Sequence, residues 1–286
     1  MSRAVIVLVS GLLTYDSGKT WFVIGLAKRL MEKGYSIGLF KPVAGHNLWS
    51  QYKSFLYSID AGVLVGEDVM KYITILKLNE KPQIINPVDI LMAPPDPVKY
   101  ILNRALPNYL EDLDSQFKQI VLARYSECSS EKSKHYIFKS NITNLSPYLR
   151  NLIERFSVNV NAEDVSIESF IGLLKSSSVE ENLDQCLSRV SSGKDVVIVE
   201  SFNDAATPYI KLLDKINKIL VIMPTAVAIY NDVAKAKGVI MESVKKLGET
   251  GLKTYNLLSY LPPDSIMYLR PRLSEVEYDE VFEKVL

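Results

Sequence analysis

One ten-residue stretch constrains the fold more than any other: Gly11-Leu12-Leu13-Thr14-Tyr15-Asp16-Ser17-Gly18-Lys19-Thr20. It follows residues 4–9, a short apolar run rich in β-branched side chains, which reads as a strand buried on both faces of a parallel sheet. It precedes residues 21–33, where apolar side chains recur at helical spacing until Gly34 supplies a stop. Strand, tight loop, Gly-Lys-Thr and helix in that order are the frame of a phosphate-binding loop. In such a loop backbone N–H groups wrap the phosphates, the helix N-terminus adds partial positive charge, and the lysine adds a full one. Gly11, Thr14, Tyr15, Asp16, Ser17, Gly18, Lys19 and Thr20 are therefore the expected nucleotide contacts. Lys19 is expected on the β- and γ-phosphates and Thr20 on a Mg²⁺ ion. Six residues separate Gly11 from Gly18 where the common pattern has four, so Leu13 stands where the first glycine is usual.

Composition narrows the class. A chain of 286 residues, 48% of them hydrophobic, can bury a sizeable core as one large α/β domain or two smaller ones. The 33 basic and 33 acidic residues cancel, so nothing in the overall charge points to a nucleic-acid partner. No apolar run approaches the ~20 residues of a membrane span, and residues 4–9 are too short for the apolar region of a signal peptide. Cys128 and Cys186 lack metal-ligand spacing and suit a reducing compartment. A cytoplasmic protein with neither a nucleic-acid nor a membrane partner is the expectation.

Along the chain, residues 35–40 read as a second strand delivering Lys41-Pro42-Val43-Ala44-Gly45-His46, and residues 50–79 as helical. Proline-rich turns follow at 86–97, then a strand pair at 119–123 and 135–138, and helices at 146–156 and 166–190. A very apolar strand at 195–200 ends on Glu200. Another strand is expected at 218–223, a helix at 226–247, a last strand at 253–258 and a short acidic helix at the end. This alternation implies a doubly wound, mostly parallel sheet with helices on both faces. Right-handed crossovers place the carboxyl ends of its strands on one edge, where ligands bind. Gly11, Lys41 and Glu200 each follow an apolar strand and should converge there.

The roles divide as follows. Glu200 is expected to be the acidic partner of the Mg²⁺, the alternative being an ordinary surface glutamate after a strand. Lys41 reads as a second phosphate or carboxylate clamp, or as a solvated strand-end lysine. Asp68 would complete the metal shell directly or through water, since Mg²⁺ keeps several waters and needs few protein carboxylates. Asp16 would orient a water, touch the metal, or turn the loop by bonding its own backbone. His46 is a substrate contact or a polar surface residue, and Trp49, Tyr52, Phe55 and Tyr57 read as packing.

The loop with its expanded spacing, Phe40-Lys41-Pro42-Val43-Ala44, Gly66-Glu67-Asp68, Ile85-Asn86-Pro87, Ala93-Pro94-Pro95-Asp96-Pro97 and Val197-Ile198-Val199-Glu200 together resemble the dethiobiotin synthetase branch of the P-loop ATPases. The resemblance covers about residues 4–100 and 195–245. It implies a single P-loop NTPase domain over residues 1–286, with 120–165 as an inserted subregion. It also implies ATP and Mg²⁺ as cofactors, Lys19 and Lys41 as catalytic groups, and Thr20, Asp68 and Glu200 on the metal. The implied chemistry is ATP-dependent ligation of a small carboxylate or amine. Ser201-Phe202-Asn203-Asp204 stands where the family carries a glycine-rich run, so the substrate side of that loop must differ. The alternative is a nucleotide-dependent regulatory switch, an ATPase or GTPase acting through a protein partner. Residues 11–17 hold no lysine, unlike the partitioning ATPases, and no Asn-Lys-x-Asp run specifies guanine. Asn256 and the pair Asn231-Asp232 are competing base contacts. A homodimer is the default assembly.

Overall fold

The computed structural model describes residues 4–15 and 17–270; Asp16, an expected nucleotide contact, and the expected C-terminal helix lie outside the described residues. Eleven strands form among them: β1 (Val5–Gly11), β2 (Ile37–Phe40), β3 (Val43–Asn47), β4 (Val88–Met92), β5 (Ile120–Ser126), β6 (Ser133–Ile137), β7 (Glu163–Asp164), β8 (Val196–Glu200), β9 (Lys218–Met223), β10 (Ala226–Tyr230) and β11 (Ser265–Tyr268). With the helices between them they make an α/β protein. The chain divides into two compact units. The first comprises Met1–Pro42, Tyr72–Glu80 and Asp184–Leu286, the second Val43–Lys71 and Lys81–Leu183. Residues 120–165, the expected insertion, lie wholly in the second unit, which also holds β3 and β4.

The first unit carries a six-stranded sheet in the order β11-β10-β9-β1-β8-β2. Its four middle and edge strands β9, β1, β8 and β2 are mutually parallel, and β1 sits between β8 and β9. A central strand is covered on both faces, which is why β1 is an unbroken apolar run with Val7, Leu8 and Val9 fully buried. The helix Lys19–Glu32 packs on β1, β2 and β8 through Phe22, Val23, Leu26 and Leu30. It stops at Gly34, whose φ of +89° suits glycine in a left-handed turn.

The register fixes the functional edge. Val9 lies beside Glu200 and Phe40 beside Val199, so the residue after β2, Lys41, comes level with Glu200. β10 and β11 continue the sheet antiparallel, so it is mixed rather than mostly parallel throughout. Two expectations fail at this end. Residues 226–230 form β10 where a helix was expected, because the tight turn at Thr225 (φ +67°) folds them back onto β9; the helix begins only at Val233. Residues expected as a last strand form the helix Thr254–Tyr260 instead, with Thr254, Asn256 and Leu257 buried at helical spacing.

The second unit has its own five-stranded sheet, β3-β4-β5-β6-β7, again mixed. β5 and β6 are the expected antiparallel pair, whereas β3 and β4, parallel neighbours, were not foreseen. The expected helix at 166–190 is two, Ile167–Leu174 and Ser177–Ser191. The core gathers Phe55, Leu91, Val121, Ile137, Ile153 and Phe156, with Phe55 edge-on to Phe156 at 5.3 Å. Phe55 packs as expected, but Trp49 is largely exposed. Among the described residues no cysteine is free, where Cys128 and Cys186 were expected to suit a reducing compartment. Among the described residues no helix is long and apolar enough to cross a membrane.

Candidate functional site

The loop between β1 and the first helix is closed by one side chain. Ser17 Oγ donates to the Leu13 carbonyl at 2.8 Å and accepts the Leu13 N–H at 2.9 Å, while the Leu12 N–H is held by the Ile222 carbonyl of β9. This pair of hydrogen bonds across the loop accommodates the unusual spacing: Ser17 is buried, Thr14 is half-buried and Tyr15 is exposed. Two glycines are required here by geometry. A Cβ on Gly11 would sit 2.7 Å from both Lys19 Nζ and Ser17 Oγ. Gly18, the N-cap, has φ +85°, a region that costs other residues roughly 1–2 kcal/mol. Among the described residues no side chain caps this helix and no acid lies in its first turn.

Around that helix start the first unit gathers the expected groups. Lys19 is buried and donates from Nζ to the Asn203 carbonyl at 2.6 Å; Asn203 itself adopts a left-handed φ of +43°. Glu200 is 1% exposed, which removes the reading of it as a surface glutamate. Its Oε1 accepts from Lys41 Nζ at 2.6 Å and from Thr20 Oγ1 at 3.1 Å, and its Oε2 accepts the Tyr72 hydroxyl. Lys41 is equally buried, an ion-pair partner and not a solvated strand end. Gly11, Lys19, Thr20, Lys41 and Glu200 therefore do converge on one sheet edge.

Two members of this cluster escaped the sequence. Tyr72 lies on the buried stripe of the helix Glu67–Leu76 with Val69 and Leu76, and a tyrosine on such a stripe has to find a partner for its hydroxyl. That rule marks it as a candidate without naming the partner. The Asn203 contact is made by a backbone oxygen, for which no sequence signal exists.

The expected base contacts are occupied otherwise, and Asp68 goes with its own unit. Asp68 is half-buried in the first turn of the helix Glu67–Leu76 and belongs to the second unit. Asn256 is buried and its amide donates to the Thr250 carbonyl at 2.8 Å. Asp232 caps the helix Val233–Leu247, accepting the Lys235 N–H at 3.1 Å. Among the described residues no group of three or more His, Cys, Asp or Glu side chains could hold a metal. What the cluster does offer is a hydroxyl and a carboxylate, hard oxygen donors of the kind Mg²⁺ accepts in small number.

His46 is neither a surface residue nor an open contact. It lies on β3, fully buried, with Nδ1 2.7 Å from Ser54 Oγ and Nε2 3.4 Å from Asp89 Oδ2. Burial lowers the His46 pKa against the opposing pull of Asp89, Asp68 and Glu67, and burial raises that of Asp89. Arg124, also fully buried, is brought down to about 10 by desolvation. Its guanidinium spends its donors on the Leu64 and Asn86 carbonyls and on Ser126 Oγ of its own strand, stapling two loops of the second unit to β5.

No protein-family model matches this chain, and no curated protein matches it.

Proposed function

We propose that the first unit binds the phosphate chain of ATP with Mg²⁺, making the chain a P-loop NTPase. The observation that carries this reading is Thr20, the last residue of Gly-Lys-Thr, at hydrogen-bond distance from a buried strand-end carboxylate, Glu200, at 3.1 Å. The reading assigns the phosphates to the loop 11–20 and to Lys19, and the cation to Thr20 and Glu200. The bound cation would supply charge neutralisation at the phosphates; the chain's own residues supply the rest. Lys19 exchanges the Asn203 carbonyl for phosphate oxygens, and Lys41, released from Glu200, clamps a second anionic group. Catalysis on this account is positioning and electrostatic stabilisation. The narrower proposal is an ATP-dependent ligase of the dethiobiotin synthetase-like class, in which a small carboxylate or carbamate oxygen attacks the γ-phosphate and expels ADP, and an amine then attacks the acyl carbon of the acyl phosphate and expels inorganic phosphate, losing its proton to solvent.

Calorimetric titration of ATP and GTP in Mg²⁺, on the wild type and on Lys19→Ala, tests this. The expected result is ATP binding in the micromolar range that Lys19→Ala weakens by roughly 100-fold. Failure of both nucleotides to bind the wild type would overturn the proposal. Phosphate release accelerated by a small amine or carboxylate, with no protein partner present, separates the ligase from a regulatory switch.

A further inference from the structure

The first unit holds a cleft at the end of its sheet away from Lys41 and Glu200. Its volume is about 430 Å³, within the ordinary size of a small-molecule site, and all of its lining belongs to that unit. Tyr35 lines it from the turn before β2, Lys194 from the turn before β8, and residues 76–80 complete it. β2 and β8 run parallel, so their starts share one edge of the sheet, while Lys41 and Glu200 share the other. From Lys194 to Glu200 the chain spans roughly 20 Å at the rise of a strand. The cleft is therefore a different place from the nucleotide site proposed above.

Its lining has an apolar and a charged part. Ile37 and Leu76 are buried, whereas Met31 is 44% and Tyr35 40% exposed. A half-exposed ring and a half-exposed thioether in one cleft offer a flat, polarisable wall. Among the charges, Glu80 and Lys194 pair at 2.9 Å. Burial pushes the Glu80 carboxyl up, but Lys194 and the N–H groups of Glu80 and Asn79 outweigh it and hold the group below its usual range. That pair neutralises itself. Lys77 differs, because among the described residues it has no acidic partner. The cleft thus carries one uncompensated positive charge. Lys77 also has a φ of +54°, directly after the helix Glu67–Leu76, at the kind of helix end that favours glycine because a Cβ is strained there. A lysine occupies this position in spite of that strain.

We propose that this cleft binds an aromatic monocarboxylate, with its ring against Tyr35 and Met31 and its carboxylate on Lys77. One spare cation matches one negative charge. A cationic ligand would meet Lys77 as a like charge, and a neutral ring would forgo a charge-assisted hydrogen bond. The site needs neither nucleotide nor Mg²⁺, so the proposal does not rest on the function inferred for the opposite edge.

An NMR titration of the isotope-labelled full chain with naphthylacetate tests it. Binding should saturate with a dissociation constant of about 1 mM or tighter, the level a ligand of this size reaches. The largest amide shifts should fall at Tyr35 and Lys77. Naphthylacetamide, of the same shape without the charge, should bind about fivefold more weakly, and naphthylethylamine, of opposite charge, more weakly still. Lys77→Gly relieves the left-handed backbone, so it should melt at or above the wild-type temperature. The same variant should nevertheless bind naphthylacetate about fivefold more weakly, a combination that a purely structural lysine would not give. Absence of saturable binding overturns the proposal. So does equal binding of the acid and the amide, or a Lys77→Gly protein that binds as the wild type does. Lys19→Ala should keep its affinity for naphthylacetate while losing ATP, so failure at one site is distinguishable from failure at the other.

Discussion

Lys41 and Glu200 are an ion pair taken almost wholly out of water, with side chains 4% and 1% exposed. Such a pair contributes little net stability, because desolvation offsets the Coulombic gain, yet removing one member strands a buried charge. Glu200→Gln removes the carboxylate charge that faces the Lys41 ammonium and should destabilise the fold by about 3 kcal/mol. Glu200→Leu with Lys41→Met, which replaces both charges by apolar groups of similar volume, should recover most of that loss. Urea denaturation of the wild type, Glu200→Leu, Lys41→Met and the double variant measures the coupling. Additive losses would mean that Lys41 reaches solvent and that the buried pair does not hold the sheet edge. The residue scale also shows why the loop departs from the common spacing. One hydroxyl, Ser17, bonds both backbone groups of Leu13 and so closes a loop two residues longer than usual.

At the scale of elements, β6 is tied to the segment before the helix Glu67–Leu76 by His135, whose Nε2 accepts the Leu64 N–H at 3.2 Å. That bond requires the neutral ring. Burial, reinforced by the Arg124 charge, lowers the His135 pKa to about 4. The folded pKa lies below the unfolded value of about 6.5, so the unfolded chain takes up the proton first as pH falls. Stability from this site is complete above about pH 6.5 and is lost progressively towards pH 4. Between pH 7.5 and pH 5 the loss should be about 2 kcal/mol, and His135→Gln should abolish it. Equal pH dependence of the wild type and the variant in urea titrations would refute the assignment. His46 acts in the same direction and Asp89 in the opposite one, since a raised carboxyl pKa makes protonation stabilising as pH falls. Comparison of the two proteins isolates His135 from both. Elsewhere, an apolar run such as residues 226–230 fits a buried helix or a strand equally well, and only the unpaired edge of β9 decided for β10.

For the whole molecule, nucleotide binding and stability are linked. On the proposed function, ATP with Mg²⁺ at about 100 times its dissociation constant should add about 2.7 kcal/mol to unfolding, read as a rise in melting temperature. Lys19→Ala, its affinity lower by roughly 100-fold, should gain only about 0.4 kcal/mol at the same concentration; a rise unaffected by that substitution would place the ligand elsewhere. The sequence alone determined the strand–loop–helix at the amino terminus, the glycines at 11 and 18, and the arrival of Lys41 and Glu200 at strand ends. These are local matters: a β-branched run, a left-handed turn and the period of a helix are written in neighbouring residues. Tertiary structure decided everything that joins distant residues. The Tyr72 hydroxyl meets Glu200 across 128 positions and Lys19 meets a carbonyl 184 positions away. Two mixed sheets formed in place of one mostly parallel sheet. Asp68 fell into a different unit from Thr20 and Glu200. Hydrogen-bonding edges, buried charges and backbone acceptors are shared by elements far apart in the chain, and their partners exist only once the chain has folded.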